Sequence, residues 1–376
     1  MVMRVARPAR TLIALASLIA VVLAAGIRPA GAATIGAGPS VRAASIGERP
    51  VATGLNYPAA FTFADDGRIF YGERFSGEVR IINRSTGTNH LFFDVSNLST
   101  DGEQGLLGVA LHPNFPKTPY VYVYATRTVG GLHDQILRIT NSGGHGTNMK
   151  VIFSSSTTAG QYHDGGRILF GPDGMLYAVQ GEAHSPSNAQ NLQNPAGKVL
   201  RMTPAGRPAP GNPFGNRIFS YGLRNSYGFS FDPRTGHLWE TENGPSCNDE
   251  LNRIVKGGNF AWGPNQTCSG QAPQNTNQDG PKPRILPKRF YTPTIAPVGV
   301  AFCKSCGLGS QSEGELFFLA YNTHQIWRVG LTSNRLGVSS QTVVHTHGNS
   351  VFSMEVAPGG GLFFSAPSGI FKLVHT

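Results

Sequence analysis

The stretch AAFTFADDGRIFYGERFSGEVRIIN, residues 59–83, decides how the rest of this chain is read. It holds three short apolar runs, AAFTF, RIFYGE and EVRIIN, parted by turns rich in Asp, Ser and Gly. Runs of this length between such turns read as β-strands joined tightly to one another. The same phrase returns along the chain: at 108–140 (GVALHPNFPKTPYVYVYATRT to QILRIT), 167–203 (RILFGPDGMLYAVQGE to GKVLRMT) and 228–255 (GFSFDPRTGHLWETENG to ELNRIV). Two further copies, at 299–331 and 353–374, bring the total to six. No stretch beyond the N-terminus sustains a helical period.

Six copies at intervals of about 45 to 70 residues match one repeat per blade of a propeller. The expected fold is therefore all-β, a six-bladed β-propeller of four-stranded antiparallel blades. A two-sheet sandwich has no need of one phrase six times. The segment ERPVATGLNYP (48–58) is expected to add a strand to the last blade, closing the ring and covering its edge.

Outward from the repeats, the N-terminus has a different character. Arg4, Arg7 and Arg10 precede the apolar run TLIALASLIAVVLAAG and the small-residue site Ala30-Gly31-Ala32, the order of a secretory signal. The apolar run, about 16 residues, is shorter than the ~20 a membrane span needs. The expected organisation is a signal peptide over 1–32, a flexible segment over 33–48 and the propeller over 49–376, in a protein that is secreted, periplasmic or extracellular. No stable membrane insertion is expected after signal cleavage.

The formal charge of +10 falls to +6 once the four arginines of residues 1–32 are removed. With no clustered Lys/Arg run, nucleic acid is not an expected partner. Four cysteines, Cys247, Cys268, Cys303 and Cys306, meet an oxidising compartment after export, so two disulfides are expected with their pairing open. FCKSCGLG lacks the histidine of a haem attachment site, and the Cys247–Cys268 spacing is too wide for one of the two close pairs of a zinc site.

Loops from every blade converge on one face of such a ring, so polar residues at the strand mouths are candidates for a site. His163 stands at the mouth of the third unit, in QYHDGGRILF, and Glu182 ends the following strand. Glu103 precedes the inner strand of the second unit, and Arg224 and Asn225 hold the equivalent place in the fourth. Gly244 and Pro245 form a turn that is followed by Asp249 and Glu250. Taken singly, each has an ordinary structural use: a loop histidine, a capped turn, exposed acids. Together, a histidine beside a carboxylate is an oriented base, and an arginine with a cation stabilises developing negative charge. Backbone carbonyls and carboxylates suit a hard cation such as calcium.

DGEQGLLGVALHPNF, YHDGGRILFGPDGMLYAVQGE, GKVLRMTPAG, IFSYGLRNSYGFSFDP and ENGPSCNDELNRIVKGGNFAWG, in this order, resemble the glucose/sorbosone dehydrogenase family of soluble quinoproteins. The resemblance runs from about Gly54 to the C-terminus. It implies pyrroloquinoline quinone (PQQ) and calcium on the top face, with a sugar oxidised at C1 and its electrons passed to an external acceptor. It also implies that His163 is the base that removes the hydroxyl proton, Glu182 the acid that orients it, and Arg224 the cation beside the quinone's reactive carbonyls. Glu103, Arg224 and Asn225 would contact the cofactor, Gly244 and Pro245 would hold calcium through backbone oxygens, and Asp249 and Glu250 fall where the family has further calcium-binding or structural carboxylates.

The chain departs from the family pattern where a lysine and two arginines grip the quinone's carboxylates. Asn322, Ser350 and Phe352 fall there, and His324, Lys304 or Arg328 would have to compensate. A secreted, non-redox propeller that binds a glycan or a protein through the same face is the alternative reading. A calcium-dependent lactonase-type hydrolase ranks last, since only Glu103, Glu182 and Asn225 offer the acidic and amide groups it wants.

Overall fold

The computed structural model describes residues 45–265, 268 and 284–376. Twenty-four strands form six four-stranded antiparallel sheets. The first strand, β1, spans Ile46–Thr53. Blade one is β2–β5 (Pro58–Phe63, Ile69–Glu73, Glu78–Asn83, Thr88–Asp94), and blade two is β6–β9 (Leu106–Leu111, Tyr120–Thr128, Leu132–Ser142, His145–Ser154). Blade three is β10–β13 (Ile168–Phe170, Leu176–Gln180, Lys198–Met202, Ile218–Tyr221), and blade four is β14–β17 (Ser226–Phe231, Leu238–Glu242, Asp249–Ile254, Arg289–Tyr291). Blade five is β18–β21 (Pro297–Phe302, Leu316–Ala320, Gln325–Leu331, Val338–Thr346). Blade six combines β22–β24 (Met354–Val356, Leu362–Ala366, Gly369–His375) with β1, which pairs antiparallel with β24 from Ile46↔His375 to Thr53↔Gly369.

The expected six-bladed propeller and its closing strand are thus present. That strand begins at Ile46, so it includes residues 46–48, which the sequence reading placed in the leading segment. The signal expected over 1–32, and the rest of that leading segment through 44, lie outside the described residues.

The first strand of each repeat lies innermost, and in blades two, four and five the glycine near its start has a steric reason. A Cβ on Gly108 would stand 2.2 Å from the Gly166 carbonyl, one on Gly228 2.1 Å from the Val298 carbonyl, and one on Gly299 2.6 Å from the Met354 N. Adjacent inner strands therefore touch backbone to backbone around the axis. Only glycine allows that approach. Four of these strands also carry a bulge near their start, at Pro58/Ala60, Leu106/Gly108, Ser226/Gly228 and Pro297/Val300. A bulge bends a strand and re-aims its neighbours, here at the end where the site residues sit.

Between the blades the alternating strand faces interlock. Leu106, Val109, Val121 and Val123 pack against Phe70, Val79 and Phe92, while Trp239 and Leu251 meet Val300 and Phe318. Each such fully buried side chain contributes about 1.5–3 kcal/mol over its exposed state, and the clusters run round the ring. Polar ties join the blades as well, both between neighbours and across the axis. Arg335 holds the buried Asp232 through Nε (2.5 Å) and Nη2 (3.0 Å), and Arg167 of blade three reaches Ser353 (2.9 Å) and Glu355 of blade six.

Candidate active site

The mouths of blades two, three and four bring the expected polar residues together. His163 sits in the left-handed region (φ 68°), as do Ala183 (φ 59°) and His184 (φ 57°), a conformation that costs a non-glycine residue energy and clusters at functional sites. A Cβ on Gly181 would lie 2.1 Å from the His163 carbonyl, so this glycine lets the two loops meet. Glu182 follows it, with 0% of its surface exposed, and its Oε1 bonds His163 Nδ1. That contact fixes the ring and leaves Nε2 as the nitrogen able to exchange a proton with a bound molecule. Glu182 N–H donates to the Arg224 carbonyl (2.8 Å), which ties blade three to blade four.

Glu103 performs a second join. Its Oε2 accepts from His163 N–H (2.9 Å) and from Asn225 Nδ2 (2.9 Å), so one carboxylate sets the backbone of the base and the side chain of its neighbour. Arg224 Nη1 donates to the carbonyls of Asn243 (2.8 Å) and Gly244 (2.9 Å), with its guanidinium 5.4 Å from the Trp262 ring centroid. Burial lowers the Arg224 pKa from its usual value, while Glu182, Glu242, Glu103 and Asp249 oppose that shift.

Asp249 engages both carboxylate oxygens with main-chain N–H groups, of Gly244 (2.8 Å), Ile295 (2.6 Å) and Ala296 (2.7 Å). It thereby shapes the Gly244-Pro245 turn from behind. Glu250 points along its strand into a buried group: Asn252 Nδ2 lies 2.9 Å from Glu250, 3.3 Å from Glu240 and 3.3 Å from Glu242. Burial pushes Glu240 and Glu250 up to about 8, and Glu242 is raised as well, with its carboxylate neighbours adding to the effect of burial. Asp164, next to His163, is fully buried with neither carboxylate oxygen hydrogen-bonded. Burial, then Asp134 and Glu103, raise it to about 9.

The remaining blades give the site another wall. A cavity of about 260 Å³ opens beside Glu103, Asn225, Tyr227 and Asn243, and its other side is formed by Tyr57, Tyr321 and Phe352 with Arg74. Tyr57 and Phe352 are stacked with centroids 4.5 Å apart. Arg74 donates to the carbonyls of Gln104 (3.1 Å) and Gly102, its guanidinium 4.8 Å from the Phe75 ring centroid. Val298 and Tyr321, and not Asn322, are the blade-five residues on the cavity; Asn322 N–H donates to the Ile295 carbonyl (3.1 Å). Tyr57, Arg74, Tyr162, Tyr227 and Tyr321 were not singled out from the sequence, where an aromatic in a β-protein reads as core.

Residues 55–371 match the family model described as Glucose / Sorbosone dehydrogenase. The chain belongs to this family. Among its relatives, quinoprotein glucose dehydrogenase B of Acinetobacter calcoaceticus is 31% identical over 248 residues, covering 57% of this chain and 52% of that protein. The match thus spans about half the length of the Acinetobacter protein. The PQQ-bound form of aldose sugar dehydrogenase from Streptomyces coelicolor superposes with a TM-score of 0.75 at 28% identity, over 89% of this chain and 98% of that one. Hedgehog-interacting protein of Mus musculus is 32% identical over 178 residues, 40% of this chain and 25% of that protein.

The family's cofactor can be weighed against the residues present. Two backbone carbonyls, of Asn243 and Gly244, converge on one point now met by Arg224, and Glu182 Oε2, Asn225 Oδ1 and Asn243 Oδ1 are buried without a hydrogen-bond partner. Such oxygens suit a hard cation and polar ligand groups. The aromatic faces suit a flat ring system. For the quinone's carboxylates the cavity offers Arg74, while blades five and six line it with Tyr321 and Phe352. The site fits the quinone with a reduced ionic grip.

The cysteines form the two expected disulfides, Cys247–Cys268 and Cys303–Cys306. The first begins two residues after Pro245 and braces the chain that leaves the carbonyl turn. Among the described residues no helix is long and apolar enough to cross a membrane.

Proposed function

We propose that the protein is an exported oxidoreductase that oxidises an aldose at C1 to the lactone, with His163 as general base. The observation that carries this reading is the His163 Nδ1–Glu182 pair, buried and oriented, with Arg224 and Asn225 beside it at the mouth of the next blade. PQQ, when bound, supplies the acceptor for the hydride leaving C1, and the electrons then pass to an external acceptor. His163 Nε2 takes the proton of the C1 hydroxyl as that hydride leaves, so the C–O bond becomes a carbonyl with atoms and charge in balance. Glu182 stabilises the imidazolium that forms. Arg224 and Asn225 would contact the quinone's reactive edge, with Glu103 holding Asn225 in place. Gly244 and Pro245 would offer backbone oxygens to calcium, Asp249 shapes their turn, and Glu250 forms part of the acidic backing behind it. The signal-like residues 1–32 support export.

Dye reduction by the tag-free mature protein, given PQQ, calcium and a panel of aldoses, tests the reading. Activity is expected in the wild type and lost in His163→Ala. Absence of quinone binding at micromolar PQQ would overturn it. In that case the alternative, a secreted propeller that binds a glycan or protein through this face, takes precedence; it is supported by the aromatic wall and by the similarity to Hedgehog-interacting protein.

A further inference from the structure

The seam where the ring closes carries a cluster that the active site does not use. Glu48 lies on β1, opposite Leu373 of β24. Across the seam, β21 brings His345, and His347 follows one residue beyond that strand's end. Residues two apart in an extended chain share a face, and both rings reach the same carboxylate. His345 Nε2 lies 2.8 Å from Glu48 Oε2, and His347 Nδ1 lies 2.8 Å from Oε1 and 2.9 Å from Oε2. The three side chains retain 18%, 10% and 24% exposure for His345, His347 and Glu48, so solvent reaches them. The His347 ring is held by Phe371 and Phe364 at centroid distances of 4.6 and 5.3 Å.

We propose that Glu48, His345 and His347 bind a divalent transition-metal ion of the zinc class, which staples the closing strand to blade five. Two imidazoles and one carboxylate, with a fourth position open to water, form a recurrent zinc ligand set. Calcium and magnesium prefer all-oxygen surroundings, so this site differs in kind from the carbonyl turn beside Arg224. In the metal-free arrangement each ring nitrogen donates its N–H to Glu48. On binding, each facing nitrogen gives up that proton, to the other ring nitrogen through solvent or, from a charged ring, to water, and its freed lone pair turns to the ion, at about 2.0–2.1 Å. The carboxylate supplies the negative ligand, and no oxidant or reductant is needed. The ligands stand 297 and 299 residues apart in sequence, so one ion would fix the two ends of nearly the whole ring. Among the described residues, the group whose ligand atoms all lie within 4.8 Å of one another is Cys303, Cys306 and Glu313, whose cysteines are joined as a disulfide; at Glu48 the two imidazole nitrogens flank the carboxylate and must close in on the ion.

Zinc titration of the tag-free protein by calorimetry, paired with thermal melting, tests the site. One ion is expected to bind in the micromolar range or tighter and to raise Tm by several degrees, with no such effect from calcium. His345→Gln and His347→Gln should each weaken zinc binding at least tenfold, while His163→Ala should leave it intact. Cobalt added to the wild type reports the same ligands by its visible absorption, independently of whether a variant folds. No zinc binding below about 100 μM, unchanged affinity in both histidine variants, or a cobalt spectrum of all-oxygen coordination would each overturn the proposal.

Discussion

The two halves of the top face are built on the same blade positions and carry opposite chemistry. Blades two to four present Glu103, His163, Glu182, Arg224 and Asn225, linked by hydrogen bonds and backed by buried carboxylates. Blades one, five and six present Tyr57, Tyr321 and Phe352, with Arg74 as the cation on that side of the cavity. The first half is equipped to move a proton and hold charge; the second is equipped to stack against a ring. A propeller permits this division because each blade delivers its mouth residues to the same rim, whatever their identity.

The largest expected effect of separating the halves is on rate. His163→Ala should lower kcat by about 10²- to 10⁴-fold, the usual contribution of a positioned base, with little change in Tm. An equal loss in quinone binding would show instead that His163 serves both halves. A smaller effect is expected from converting the aromatic half towards the ionic one. Phe352→Arg should tighten PQQ binding by about 10- to 100-fold, since a charge-assisted bond contributes about 1.5–3 kcal/mol, and equilibrium fluorescence quenching measures it. No gain would mean that the stacking of Phe352 on Tyr57 contributes as much as the missing charge.

The smallest effect concerns the acids behind the polar half. Asp164 is raised to about 9, so the native state keeps its proton from about pH 4 up to 9 while the unfolded chain has lost it. Its contribution to stability is complete below the unfolded pKa and falls away as pH rises through the folded one. Asp164→Asn should therefore raise Tm by a few degrees at pH 8 to 9, and the difference should vanish near pH 4. Melting curves across this range check the sign. A destabilised variant at pH 9 would show that the ionised carboxylate has a partner.

The fold was legible because its decisive signals are short and repeated: apolar runs of strand length parted by turns rich in Asp and Gly, six times over. The pairing of His163 with Glu182 was legible too, as both stand at ends of strands in one repeat. The aromatic wall was not, since Tyr57 and Tyr321 lie on loops that turn through left-handed backbone at Tyr57 (φ 53°) and His324 (φ 58°) and follow no pattern of hydrophobicity. The acidic backing left a trace that could have been read. Glu240 and Glu242 alternate on one strand, Glu250 and Asn252 on the next, and the register pairs Glu240 with Asn252 and Glu242 with Glu250. Alternation in two strands that are buried on both faces necessarily gathers the four side chains.

Ring closure has a consequence for the order of synthesis. Ser45 and Thr376 exchange backbone hydrogen bonds at 3.2 and 2.8 Å, and β1 has its sheet partner in β24. Among the described strands, the earliest made must wait for the latest before it can pair. Five blades can assemble as they emerge, yet the sixth forms only when β1 and β24 are both present, and loss of either strand opens that same blade.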